Sequence, residues 1–265
     1  MLRLLKYELR GKLVFLGGTE IILAMLNLFI FLDCNVFRAY KYEEGINLAF
    51  SMMLGFAAMI VVIVGAITRL EKDLYSETGY LTFTLPKSGY SILGAKLLAS
   101  FIEIVEFSIL NVIFFALQIV PHVHISKSDI SLMFKLLAEN YRFILFTLFM
   151  MILFLIIFIL MVYFSLVSVR SFSKRRKLGK AASFCVFIGL SILIGFTIGL
   201  LEKAFPQIIK LNFNNFNTHI VVTQNIQIDT IGEVSLNIAA SIFSLILPFI
   251  LFISTSFLIE KRIDI

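Results

Sequence analysis

Three acidic residues fall where hydrocarbon is expected to surround the chain. Glu20 lies inside the first long apolar run. Glu103 and Glu106 lie inside the third, three residues apart and so on one helical face. An ionised carboxylate near the centre of a bilayer costs on the order of 3 kcal/mol even on lenient insertion scales. Such groups must therefore face protein or water, hold a proton, or lie nearer the interface. Two chemistries follow. Proton-coupled carriers use intramembrane carboxylates to bind and release protons, whereas structural carboxylates bond Ser, Thr or basic side chains of neighbouring helices. His122 and His124 share a face only in an extended segment, and two histidines make an incomplete metal site, so no metal is expected. Cys34 and Cys185 lie in unrelated segments and suggest neither a disulfide framework nor a metal centre. No HExxH, GxSxG or GxxxxGK[ST] pattern occurs, so no catalytic residue is assigned. Any nucleotide hydrolysis that drives the protein belongs to another chain.

The elements that position these groups are set by composition. Hydrophobic residues make up 60% of the 265 and charged ones 15%, a balance that places the chain in the membrane. With 29 Phe and no Trp, Tyr is left as the aromatic interface marker. Apolar runs at about 13–32, 47–68, 97–120, 143–168, 182–201 and 236–259 are each near the 20 residues that cross a bilayer as a helix. The expectation is an all-α membrane protein of six transmembrane helices in a single domain, 1–265. Residues 1–12 (MLRLLKYELRGK) form an amphipathic start. Leu2, Leu5 and Leu9 share one face and Arg3, Lys6 and Arg10 another, as in a helix lying in the headgroup plane. In the fifth run Ser191, Gly195 and Gly199 recur at four-residue spacing, and in the second Ser51 and Gly55. Both patterns mark helix packing or a dimer face.

Six spans put both termini on one side. Lys and Arg number 16 in the N-terminus, the connections 69–96 and 169–181 and the C-terminal tail, against seven in the other three connections. This asymmetry predicts cytoplasmic termini and explains the +6 formal charge without nucleic acid. The inner cluster at 170–180 (RSFSKRRKLGK) is a topology determinant suited to anionic lipid. The connection 202–235 is the longest outer one. A half-helix is expected over 201–211 and an extended segment over 219–228 (HIVVTQNIQI), as an exposed cap or as a lid over a translocation route.

The inner connection between the second and third runs, DLYSETGYLTFTLPKSGY at 73–90, is polar and turn-rich yet carries Tyr80, Leu81, Phe83 and Leu85. Pro86 fixes its own φ and restricts Leu85. Two readings account for the large apolar side chains: a loop dipping into lipid, or a docking element for another protein.

The basic amphipathic start, the six spans, the stretch RLEKDLYSETGYLTFTLP at 69–86, running on through Lys96, and the terminal Glu260-Lys261-Arg262 together resemble the membrane permease subunits of ABC-2-type transporters, those of Gram-positive bacteria above all. The resemblance implies a multi-pass permease of the bacterial cell membrane that pairs with a second permease around a translocation route. It also implies cytoplasmic ATPase subunits that use ATP and Mg, neither bound by this chain. In that family the connection between spans 2 and 3 seats in a groove of the ATPase, which carries the coupling role onto Glu77, Gly79, Tyr80, Phe83, Leu85 and Pro86. Thr82-Phe83-Thr84-Leu85 departs from the family by alternating polar and apolar residues, a β-favouring pattern. The short helix expected there is placed before Gly79, continuing from Arg69.

Overall fold

The computed structural model describes residues 2–11, 13–32, 44–75, 88–119, 127–172, 176–212, 218–222 and 233–262. Helices α1 (Leu2–Arg10), α2 (Leu13–Leu32), α3 (Glu44–Tyr75) and α4 (Gly89–Ile119) precede α5 (Lys127–Phe172) and α6 (Arg176–Ala204). Strands β1 (Gln207–Asn212), β2 (Thr218–Val222) and β3 (Glu233–Asn237) then lead into α7 (Ile238–Arg262). All but α1 contain windows long and apolar enough to cross a membrane: Phe15–Leu32, Ala49–Tyr75, Gly89–Leu117, Asn140–Phe172, Ala181–Ala204 and Ile238–Lys261. Large side chains on these helices point outward. Phe29 is 70% exposed, Phe56 73% and Phe154 68%. Faces this apolar are unsuited to water and suited to hydrocarbon. The chain is a multi-pass membrane protein by this architecture.

It divides into two units, 1–129 and 130–265. In the first, α3 packs along α4, with Val62, Ala66, Leu70, Leu93, Ala99 and Phe107 fully or almost fully buried. Small and polar residues join the helices. The Ser51 hydroxyl donates to the side-chain oxygen of buried Asn27 on α2 at 3.0 Å, while the Asn27 amide donates to its own helix at Leu23. A Cβ at Gly55 would meet Asn111 Oδ1 of α4 at 3.3 Å, so α3 and α4 approach closely there and leave little room for a larger side chain. The small residues of the second span thus serve internal packing. Those of the fifth do not: a Cβ at Gly195 or Gly199 meets nothing within 4 Å, and Ser191 bonds its own helix at Phe187.

Helical structure reaches further into the inner connection than hydropathy suggests. α3 continues from Arg69 to Tyr75, as the sequence predicts for the segment before Gly79. α4 begins at Gly89, where Ser88 C=O accepts bonds from the Ser91 and Ile92 amides, so Gly89 opens a helix instead of serving a turn. Glu77, Gly79, Tyr80, Phe83, Leu85 and Pro86 lie outside the described residues, as do His122, His124 and Cys34.

In the second unit, α5 and α6 meet through Phe158 and Phe187, edge to face with centroids 5.7 Å apart. The half-helix expected over 201–211 is not formed. α6 ends at Ala204, and β1 starts at Gln207. The cause is Pro206, which cannot donate a helical bond and disfavours helical backbone at Phe205. β1 is the central strand of an antiparallel sheet ordered β2-β1-β3, with Lys210 opposite His219 on one side and Ser235 on the other. Of the extended segment expected over 219–228, residues 219–222 belong to β2 and the rest lie outside the described residues. The sheet adds a small β element to described residues that are otherwise almost entirely helical.

Candidate functional site

The first unit holds a buried network of five ionisable side chains at the base of the connection between α3 and α4. Arg69 and Asp73 are one helical turn apart near the end of α3, and Lys96, Ser100 and Glu103 follow at i, i+4 and i+7 on α4. These spacings align each set on one face of its helix. Glu8 comes from α1.

Lys96 Nζ donates to Glu8 Oε1 at 2.7 Å and to Asp73 Oδ2 at 2.5 Å. Arg69 Nη2 donates to Glu103 Oε1, and Arg69 Nε lies 3.7 Å from Glu8 Oε2. Glu8 therefore bridges both cations, one oxygen to each. Arg69 Nη1 also reaches the Lys96 carbonyl at 3.5 Å, and that carbonyl accepts the Ser100 hydroxyl at 2.9 Å. The Lys96 and Glu103 side chains are 1% exposed, against 18% for Glu8 and Asp73.

The network contains two cations and three carboxylates. Removing such groups from water costs several kcal/mol per ion, which their mutual attraction offsets only when every charge has a partner. Each cation here touches at least two acceptors. Two buried atoms of the network make no hydrogen bond: Glu103 Oε2, and Arg69 Nε, which has only the 3.7 Å ionic contact with Glu8. The consequence is geometric: three helices far apart in sequence are fixed at one point, and any shift of one leaves a buried charge uncompensated.

Of the three intramembrane carboxylates singled out above, Glu103 is thus an ion-pair partner of Arg69. Glu106, three residues on, is exposed and faces elsewhere: the Glu20 carboxyl of α2 interacts with it electrostatically and through hydrogen bonding. The two glutamates expected to act together on α4 have different partners. Arg69 and Lys96, counted above among loop cations, lie inside helices and are buried; without them the asymmetry is 14 to seven, since 16 less two is 14. The sequence carried the signal for the network in the Arg69/Asp73 and Lys96/Glu103 spacings, but Glu8 gives none until α1 docks on α4. That docking exposes Lys6 and Arg10 and leaves Leu5, Glu8 and Leu9 half-buried. Among the described residues, no group of three or more His, Cys, Asp or Glu is placed to hold a metal ion.

Comparison with family models, with curated proteins and with solved structures finds no match to this chain.

Proposed function

We propose that the chain is the permease subunit of an ATP-driven exporter of ABC-2 type. It would pair with a second permease, and cytoplasmic ATPase subunits would engage the connection between α3 and α4. The observation that carries this reading is how that connection is mounted. Its two feet, Asp73 on α3 and Lys96 on α4, are joined to each other, and the same ammonium holds Glu8 of α1. A partner that pushes on residues 76–87 pushes on a stiff base continuous with two spans. Displacement then passes into the membrane instead of being absorbed by a slack loop. In this reading Tyr80, Phe83 and Leu85 are the docking side chains, with Glu77, Gly79 and Pro86 shaping the segment. Both termini are cytoplasmic, α1 lies at the inner interface of the bacterial cell membrane, and ATP and Mg belong to the partner.

Affinity purification from native membranes followed by mass spectrometry tests the assignment. An ATPase with a phosphate-binding loop must co-purify, together with any second permease. Tyr80→Asp or Leu85→Asp is expected to release that ATPase and abolish transport while insertion stays normal. Wild-type transport by both variants would remove the coupling role.

A second reading rests on the Glu20–Glu106 pair. Two facing carboxyls on α2 and α4 suit a stand-alone proton-coupled carrier. It requires pH-driven flux by the chain reconstituted alone, lost in Glu20→Gln and Glu106→Gln.

A further inference from the structure

The second unit contains a cavity of about 1020 Å3 between α5, α6, α7 and the sheet, at the top of the range of about 300–1,000 Å3 common for ligand sites. Its deep walls are apolar. Phe146, Phe149 and Met150 come from α5, Ile198 from α6 and Leu245 from α7. Its other end is polar, with Glu202 and Lys203 in the last turn of α6, Asn237 at the end of β3 and Ser241 at the start of α7.

The cavity's place follows from the helices. Its residues lie near the start of the apolar windows of α5 and α7 and near the end of that of α6. Successive spans run in opposite directions, so these three ends share one face of the membrane. At about 1.5 Å per residue, the lining runs some 10–15 Å into the spans, about half of a hydrocarbon core of about 30 Å. That is one leaflet. The α6 wall has free space: Gly199 lines the cavity, and a Cβ there would meet nothing within 4 Å.

We propose that this cavity holds one bilayer lipid with a zwitterionic head. An acyl chain lies against Phe146, Met150 and Leu245, the head phosphate meets Lys203, and the head ammonium meets Glu202. An apolar recess at leaflet depth favours hydrocarbon over water. Bilayer hydrocarbon is as apolar as these walls, so selection must come from shape and from the head. Adjacent exposed charges of opposite sign complement a zwitterion and give an anionic head no net attraction. The inference does not depend on what the chain transports.

The full chain in nanodiscs is irradiated with a phosphatidylcholine carrying a diazirine on its acyl chain, and adducts are mapped by mass spectrometry. Labelling is expected to concentrate on residues 146–150 and around Leu245, above that of outward-facing Phe154 and Phe196, and to saturate. Unlabelled phosphatidylcholine should compete better than phosphatidylglycerol. Gly199→Leu, which fills space on the α6 wall, should bring cavity labelling down to the level of Phe154 and Phe196. Ser241→Leu narrows the recess from α7 and gives the same readout should the first variant fail to fold. Lys203→Glu should abolish the preference for the zwitterionic competitor. Even, unsaturable labelling unchanged by either leucine variant would mean ordinary annular lipid and overturn the proposal, as would equal competition by the anionic lipid.

Discussion

Lys96 Nζ donates to Glu8 Oε1 at 2.7 Å although 88 positions separate them. Lys96 is 1% exposed and Glu8 18%, so this contact is largely shielded and not a surface pairing. It joins the first helix of the chain to the helix that leaves the inner connection. Because Arg69 lies beside the other oxygen of Glu8, a single carboxylate reads the positions of α3 and α4 together.

The network's charge count predicts an order of sensitivity. Lys96→Met leaves Arg69 alone against Glu8, Asp73 and Glu103, whereas Glu8→Gln leaves two cations facing two carboxylates. Breaking a buried pair by removing one partner costs about 3–5 kcal/mol, largely because the survivor stays buried and uncompensated. Lys96→Met is expected at the upper end of that range and Glu8→Gln well below it. Thermal unfolding of the purified protein in one detergent ranks the two. Equal midpoints would show that the network does not behave as a charge-balanced unit.

The Glu20–Glu106 pair should respond in the opposite sense. Two carboxyls that share a hydrogen bond need a donor on one of them, and a glutamine supplies that donor without a charge. Glu106→Gln is expected to leave the unfolding midpoint unchanged or raise it, by up to about 1 kcal/mol in stability terms. A marked loss of stability would mean that Glu106 holds a cationic partner instead.

Much of the membrane architecture was legible in the sequence, because lipid demands uninterrupted apolar windows and these survive without tertiary information. The ends of the spans were not. Hydropathy alone ended the second span at 68 and began the third at 97, leaving Arg69, Asp73 and Lys96 outside both, because such a window scores a charge as exposed; here each is satisfied inside a helix packing. The Lys96/Glu103 spacing was visible, but a spacing does not say which helix will face it. Beyond α6 the error was of another kind. Pro206 announced the stop, yet β1 is a strand because of partners at Thr218–Val222 and Glu233–Asn237, and the second begins 21 residues after β1 ends (233 less 212). No local pattern contains that pairing.

The α3–α4 contact should be sensitive to side-chain size at a single point. A methyl group at Gly55 would stand 3.3 Å from Asn111 Oδ1, at the end of a side chain that can give by tenths of an ångström. Gly55→Ala is therefore expected to be tolerated within about 1 kcal/mol, with some gain from helix propensity. Gly55→Leu must displace Asn111 or part the helices, an overpacking cost of about 1–3 kcal/mol or more. Unfolding midpoints of the two variants measure the difference, and equal effects would place Asn111 outside a tight contact.

Asn237, the last residue of β3, bonds the start of the last span and the residue after α6. Its side-chain oxygen accepts the Ala240 amide at 3.0 Å, an N-cap for α7, and its side-chain amide donates to the Phe205 carbonyl at 2.7 Å, just past the end of α6. Asn237→Ala removes both. Loss of an N-cap alone costs about 0.5–2 kcal/mol. Asn237→Asp keeps the cap and the favourable negative charge at the helix start but cannot donate to Phe205. Hydrogen exchange separates the two bonds. Faster exchange over the first turn of α7 is expected in Asn237→Ala and not in Asn237→Asp, whereas both variants should loosen the β1–β3 edge beside Phe205. If Asn237→Asp frees the first turn of α7 as fully as Asn237→Ala does, the link to Phe205 holds that helix start and the cap is secondary.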